Sequence, residues 1–145
     1  MLRYSAAAII CAGAMLATAP ASAQGTCTRA ELQAAAESYV TAQTSGDPQR
    51  IEAAANVRYS EQMQPADLKR GFLAKADKID FHRNLLDPET CQSFTEAVVT
   101  NPAHPYVLGT RLKVVNGKVS EIETLLSDKD DWLFNPGNTM KYSQA

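Results

Sequence analysis

The stretch that most constrains the fold is residues 105–126, which reads PYVLGTRLKVVNGKVSEIETLL. Asn116-Gly117 lies between two runs rich in β-branched and other apolar residues. Asn and Gly both tolerate a positive φ, so this dipeptide between such runs is typical of a tight turn that joins two strands. The stretch therefore predicts a β-hairpin. An isolated hairpin is marginally stable in water, so the rest of the chain must supply further strands or a covering helix.

The hairpin allows two registers. A two-residue turn sets Leu112 opposite Glu121, whereas a three-residue loop with Gly117 as a bulge sets Arg111 opposite Glu121. A slip of one residue moves every side chain to the other face of the strand. We favour the bulged register because it gives one mostly apolar face and a charge pair on the other. The apolar face then holds Leu108, Leu112, Val114, Ile122 and Leu126.

Residues 1–23 have the pattern of a secretory signal peptide. Arg3 supplies a positive start, residues 6–19 are apolar, and Ala21-Ser22-Ala23 is an A-x-A cleavage site. The apolar run is shorter than the ~20 residues of a membrane-spanning helix. The sequence therefore predicts a secreted or periplasmic protein that is cleaved after Ala23 and keeps no membrane anchor.

The composition excludes several classes of function. The formal net charge is −2, and no basic run or basic-aromatic interleaving occurs, so no nucleic-acid partner is expected. The two histidines are far apart, and no C-x-x-C, H-x-H or H-E-x-x-H spacing is present. We therefore expect no metal site. No glycine-rich phosphate loop is visible, and no cofactor is expected.

Two cysteines, Cys27 and Cys91, follow the predicted signal peptide. An even pair in an exported chain favours a disulfide. It would tie the start of the first helix to a strand in the middle of the sheet. The alternative is a pair of buried free thiols.

The order of predicted elements indicates an α+β domain. A capping box over residues 28–31 opens a helix that Gly46 ends, and Asp47-Pro48 opens a second, short helix. The remaining predicted elements are a strand over 56–61, a helical segment over 65–76, strands over 79–86 and 92–100, and the hairpin. Helices followed by consecutive strands are typical of α+β folds. Residues 127–145 form a less regular tail.

This pattern resembles the nuclear-transport-factor-2-like superfamily, also called SnoaL-like. The matching residues are the helix over 31–46, the Asp47-Pro48 step, NVRYSE at 56–61 and LKVVNGKVSEIE at 112–123. The resemblance implies a cone-shaped, curved antiparallel sheet covered by N-terminal helices, over residues 24–126, with residues 127–145 as a C-terminal tail. More closely, the chain looks like a set of secreted domains of unknown function.

That closer resemblance rests on CTRAEL at 27–32, NVRYSE at 56–61, DPET at 87–90 and RLKVVNGKVSEIET at 111–124. Members of the superfamily with enzymatic activity include isomerases, cyclases, dehydratases and epoxide hydrolases. They resemble one another in holding a small apolar ligand inside the cone beside a few acid/base side chains. Other members bind ligands without turnover or form dimers, so the fold alone does not decide the function.

Three residues are candidates for acid/base catalysis. Tyr59 and Glu61 alternate onto one face of the first strand, where a carboxyl beside a phenol could act as base and oxyanion donor. Their alternative roles are packing at the core edge and a solvated strand end. His82 lies on one strand face with Asp80 and Asn84 and is the third candidate. Its alternative role is that of a half-exposed sheet residue.

Three further residues are candidates for ligand binding. Arg111 with Glu121 or Glu123 could line the pocket and hold a carboxylate ligand, or it could form a cross-strand ion pair on a wet face. Trp132 could cap the mouth of the cone or bury in a dimer contact, and simple core packing is the alternative.

Three hypotheses for the function follow. The first is an exported domain that binds a small organic ligand. The second is an isomerase, dehydratase or cyclase that uses Tyr59, Glu61 and His82, which requires these three side chains to meet in one cavity. The third is a structural or dimerisation module whose open sheet pairs with a second copy.

Overall fold

The computed structural model describes residues 27–145, so the predicted signal peptide and its cleavage site lie outside the described residues. The described part holds two α-helices and six strands. These are α1 (Arg29–Ser45), β1 (Ala53–Glu61), β2 (Gln64–Pro65), β3 (Phe81–Asp87), β4 (Gln92–Val99), β5 (Tyr106–Val115), β6 (Lys118–Asp128) and α2 (Pro136–Ser143). Neither helix of this part is long and apolar enough to cross a membrane.

The six strands form one curved, open sheet in the order β2-β1-β6-β5-β4-β3. All neighbouring strands are antiparallel except β1 and β6, which are parallel, so the sheet is mixed rather than wholly antiparallel as expected. The reason is the segment between β2 and β3, residues 66–80, which carries the chain to the far edge of the sheet. Three antiparallel connections then bring β6 back beside β1 in the same direction.

The first helix begins and ends as its sequence predicts. The Thr28 hydroxyl accepts a hydrogen bond from the Glu31 N–H, and the Glu31 carboxylate accepts one from the Thr28 N–H at 2.7 Å. These reciprocal bonds satisfy two donors that the helix itself leaves free. At the other end Gly46 adopts a left-handed conformation with φ 65°, which confirms it as the terminating residue.

Two predicted helices are wrong. Residues 48–54 form only a 3₁₀ turn over Pro48–Arg50, because Ala53 already pairs with Val119 of β6. Sheet pairing here overrides the helical propensity of the alanines. Residues 65–76 form the short strand β2, a turn and a second 3₁₀ turn over Phe72–Ala74.

The predicted hairpin is present, and its turn has two residues rather than three. Asn116 and Gly117 have φ values of 52° and 73°, and Val115 pairs with Lys118 directly across the turn. Positive φ at both central residues is the conformation that matches the right-handed twist of the flanking strands. The favoured three-residue loop is therefore wrong.

A bulge instead occurs within β6, at Ser120. Next to the turn, Val114 pairs with Val119, but the following residue of β5, Lys113, pairs with Glu121. Ser120 is therefore an additional residue on β6. Its hydroxyl donates to the Lys113 carbonyl at 3.2 Å. This shift sets Arg111 opposite Glu123 and not opposite Glu121. Neither predicted register holds over the whole hairpin, because each assumed that the strands run without a break beyond the turn.

The sheet has two distinct faces. We call the face that packs against α1 the inner face and the opposite one the outer face. The main core lies between α1 and the inner face and is built from Leu32, Tyr39, Ala42, Ile51, Tyr59, Leu73, Leu112, Val114, Val119 and Ile122. Helix α2 lies on the outer face, where the Ser143 hydroxyl is 3.4 Å from the Glu96 carboxylate.

The predicted disulfide between Cys27 and Cys91 is present, with the two Cα atoms 5.2 Å apart. It ties the residue before the capping box to the turn between β3 and β4, at one edge of the sheet, and not to a strand in the middle of the sheet as expected. Disulfides are typical of proteins in oxidising, extracellular compartments.

Candidate functional site

Tyr59 and Glu61 meet on the inner face near the end of β1, as their alternation predicts. The Tyr59 hydroxyl donates to the Glu61 carboxylate, and the same carboxylate oxygen accepts the backbone N–H of Phe72. The Leu73 N–H in turn donates to the Tyr59 hydroxyl at 3.2 Å. We call these four residues the latch. They hold the 3₁₀ turn over Phe72–Ala74 against the end of β1.

The protonation of the latch follows from its burial. Only 7% of the Tyr59 surface is exposed. Burial, followed by the bond to the Glu61 carboxylate, raises the pKa of Tyr59 well above its ordinary value. The phenol therefore keeps its proton and donates a hydrogen bond to the Glu61 carboxylate. Its neighbour in the core, Tyr39, has a pKa that burial raises to about 12, and its hydroxyl lies 2.7 Å from that of Thr110.

The latch leaves no space beside Gly71. A Cβ at this position would collide with the Glu61 carboxylate, and it would lie 2.7 Å from Tyr59 Cε1 and 2.9 Å from the Asp67 carbonyl oxygen. A larger residue would therefore have to displace backbone or a buried ring. Gly71 lies in the segment over 65–76 that the sequence predicts as helical, and nothing in the sequence indicated this packing role.

The same segment is anchored from the helix side by Gln43, which is 1% exposed. Its amide donates to the carbonyl oxygens of Phe72 at 3.3 Å and of Lys75 at 3.1 Å. The Leu73 side chain packs into the main core, and the Phe72 side chain joins a second cluster with Ala97. The chain itself therefore fills the inner space beside the latch.

His82 lies away from the latch. It belongs to β3, which β4, β5 and β6 separate from β1, a distance of about 19 Å along the sheet at ~4.8 Å per strand. Its Nε2 is 3.5 Å from the carboxylate of Glu37, which also accepts a bond from Asn84 at 2.7 Å. The structure brings Tyr59 and Glu61 together, and it does not bring His82 to them.

Arg111 and Glu123 lie on the outer face and not inside the cone. Arg111 binds Glu123 at 2.9 Å, Glu121 at 2.5 Å and the Gln92 side chain at 2.8 Å, and Arg58 also binds Glu121. We call these five residues the charge ladder, since they cross the sheet from β1 to β4. Arg111 holds the pKa values of both carboxyl groups below their usual range. All three nitrogens of its guanidinium group are therefore engaged within the chain.

Trp132, the third predicted ligand-binding residue, follows β6 in the tail. Its side chain is 92% exposed. Within residues 27–145, Trp132 is therefore not part of the core.

A cleft of about 580 Å³ opens on the outer face above β1, β2 and β6, and we call it the outer cleft. Its lining includes Arg58, Ser60, Met63, Pro65, Glu121, Glu123 and Leu125, and it also reaches Tyr59, Ile122 and Thr124. Among its lining residues the sequence singled out Tyr59, Glu121 and Glu123. Leu125 could have indicated this cleft from the sequence. It follows Glu121 and Glu123 at alternate positions of β6, so it is an apolar residue on the solvent side of the strand.

Within residues 27–145, no group of three or more His, Cys, Asp or Glu side chains is arranged to hold a metal ion.

Comparison with known proteins identifies the fold. No family profile matches the sequence, and no curated protein matches it. Among solved structures, an NTF-2 like protein of unknown function from Burkholderia xenovorans LB400 is 15% identical, with a TM-score of 0.52, covering 78% of this chain and 93% of that one. A candidate ketosteroid isomerase from Kribbella flavida DSM 17836 is 17% identical, with a TM-score of 0.54, covering 75% and 87%.

A de novo designed NTF2 fold protein, NT-9, is also 17% identical, with a TM-score of 0.50, covering 83% of this chain and 95% of that one. These likenesses confirm the nuclear-transport-factor-2-like α+β fold that the sequence predicts. At such identities they establish the fold alone.

Proposed function

We propose that this chain is an exported domain that binds a small organic molecule in the outer cleft. The observation that carries the proposal is the cleft itself. Its volume of about 580 Å³ lies within the range of about 300–1,000 Å³ that is typical of ligand pockets. It also combines an apolar wall with a few charged groups, which is the usual composition of such sites.

The ligand is expected to have an apolar body and a polar end. Met63, Pro65 and Leu125 offer apolar surface, and the Met63 and Leu125 side chains are 82% and 53% exposed. At the charge ladder the Arg58 and Glu123 side chains are 77% and 55% exposed. Arg58 can donate hydrogen bonds and Glu123 can accept them, so a ligand with both donor and acceptor groups would fit.

Binding without turnover is favoured over catalysis by the state of the candidate acid/base residues. The Glu61 carboxylate and the Tyr59 hydroxyl are occupied by the latch, and His82 lies several strands away. An acid/base reaction needs groups that can reach a substrate and exchange a proton with it.

A ligand screen on the exported protein tests this proposal. The protein would be purified from the periplasm or medium, where its chain should begin at Gln24. Fragments would be screened by ligand-observed NMR and then titrated. Leu125→Trp fills the cleft, and we expect it to weaken binding at least about tenfold, a change of about 1.4 kcal/mol. Val115→Trp, on an exposed hairpin position outside the cleft, is the matched control and should leave affinity unchanged.

Two results would reject the outer cleft as the binding site. The first is unchanged affinity in Leu125→Trp. The second is a screen in which no fragment binds the wild-type protein.

The second candidate function is homodimerisation through the outer face. Leu85, Phe94 and Leu125 lie on three strands of this face and are 60%, 41% and 53% exposed. Apolar side chains that share one face are typical of protein contact surfaces. Light scattering should then give twice the chain mass, and Phe94→Arg should return the monomer mass. A wild-type monomer at high protein concentration would exclude this function.

A further inference from the structure

A second cleft, of about 450 Å³, lies where the start of α1 meets β3 and β4, and we call it the edge cleft. Among its lining residues are Arg29, Leu85, Asp87, Gln92, Phe94 and Arg111. We infer that the edge cleft is a binding site for a small organic carboxylate with an apolar body, held by the Arg29 guanidinium. This site is separate from the outer cleft and does not depend on it.

The apolar part of the edge cleft is formed by Leu85 and Phe94. Both side chains lie on the outer face, and they are 60% and 41% exposed. The Phe94 ring lies over Gly109, where a Cβ would be only 2.9 Å from the ring. Because β5 has no side chain at this point, the ring lies against the sheet. This leaves an apolar surface that a flat or branched ligand body can cover.

Three charged side chains line the edge cleft, and Arg29 is the one that is available to an anion. Arg111 is already engaged by the charge ladder. The Asp87 carboxylate stays negatively charged and is directed to the Thr90 hydroxyl and to the N–H groups of Thr90 and Glu89, which hold its pKa below the usual range. Arg29 is exposed and has no ion-pair partner within residues 27–145. Arg29 therefore supplies the positive charge that a ligand in this cleft can neutralise. Guanidinium groups pair well with carboxylates.

The surroundings of Arg29 add to this preference. Arg29 is the first residue of α1, where the helix dipole and free N–H groups favour negative charge. Glu31, two residues further on, is the nearby acidic group on this helix, and its carboxylate is turned back to the Thr28 N–H and hydroxyl. The Glu31 carboxylate is therefore directed to Thr28 and forms the capping box.

The disulfide fixes the position of Arg29. Cys27 precedes Arg29 by two residues, and its partner Cys91 directly precedes β4. The bond therefore holds the start of α1 beside Gln92 and Phe94. Reduction should release this contact and with it the geometry of the edge cleft.

The experiment titrates the oxidised protein with benzoate, phenylacetate and octanoate, and with the matching neutral amides, followed by amide NMR shifts. We expect the carboxylates to shift signals of residues 85–94, with affinity at least about tenfold above that of the amides. Arg29→Gln should weaken carboxylate binding about tenfold. Arg50→Gln, which removes an exposed arginine outside the edge cleft, is the matched control and should bind like the wild type.

Two further measurements separate this site from the outer cleft and from a general charge effect. Leu125→Trp should bind the carboxylates as the wild type does, and a reductant should weaken their binding. The inference is overturned if Arg29→Gln binds as tightly as the wild type, if the amides bind as well as the carboxylates, or if no signal of residues 85–94 moves.

Discussion

Removal of the Cys27–Cys91 disulfide is expected to lower the free energy of unfolding by about 4 kcal/mol. The bond joins residues 64 positions apart, so in the unfolded chain it closes a long loop. A cross-link of this length removes much of the conformational freedom of the unfolded state, and on this chain-entropy account its loss favours unfolding. The variant Cys27→Ser leaves the partner Cys91, which is 4% exposed, as a buried thiol.

Urea unfolding of the oxidised wild type and of Cys27→Ser measures the difference. The wild type in reductant is the control, and its midpoint should fall to that of the variant. Alkylation before and after reduction counts the free thiols. Two alkylated thiols in the native exported protein, or a midpoint that reductant leaves unchanged, would contradict the prediction.

Replacement of Glu61 with alanine is expected to lower the free energy of unfolding by about 3 kcal/mol. The substitution removes the acceptor for two donors of the latch, the Tyr59 hydroxyl and the Phe72 N–H. Donors that are left buried without a partner lose their hydration and gain nothing in return. The 3₁₀ turn that they hold should then open more often, although the Leu73 side chain remains in the core.

Two matched variants make this prediction specific. Glu61→Gln keeps an acceptor oxygen and should cost about half as much as alanine. Glu123→Ala removes a carboxylate of the neighbouring strand β6 from the exposed outer face and should cost less than about 1 kcal/mol. Hydrogen exchange should be faster at the Phe72 and Leu73 amides in Glu61→Ala. If Glu61→Ala is as stable as Glu123→Ala, the latch does not hold the turn.

The parts of the fold that local chemistry determines were predictable from the sequence. The capping box at Thr28 and the turn at Asn116-Gly117 depend on residues that are close in the chain. The parallel pairing of β1 with β6 was not predictable in this way, because it depends on residues far apart. The bulge at Ser120 was missed because no residue type there requires it.

The candidate site shows the same limit. Alternation correctly placed Tyr59 and Glu61 on one face, since the period of a strand is two. Glu61 also accepts the backbone N–H of Phe72. Every residue except proline has this donor, so the sequence does not indicate which one Glu61 binds. For the same reason the segment over 65–76 looked helical, although the N–H groups of Ala66, Phe72 and Leu73 are bound to β1. The favoured register correctly put Arg111 on the face opposite Leu112 and Ile122, but it set Arg111 against Glu121, whereas the structure sets it against Glu123.

The pairing of β1 with β6 also bears on how the chain reaches its folded state. Arg58 and Glu121 meet across these strands although 63 positions separate them. Strand β2 has only two residues, so β1 lacks a full-length partner until the end of the domain has been synthesised. Contacts of such long range slow folding, because the intervening loop must close first. On the proposal that the chain is exported, this delay would keep it unfolded and able to pass through a narrow channel until its last strand is available.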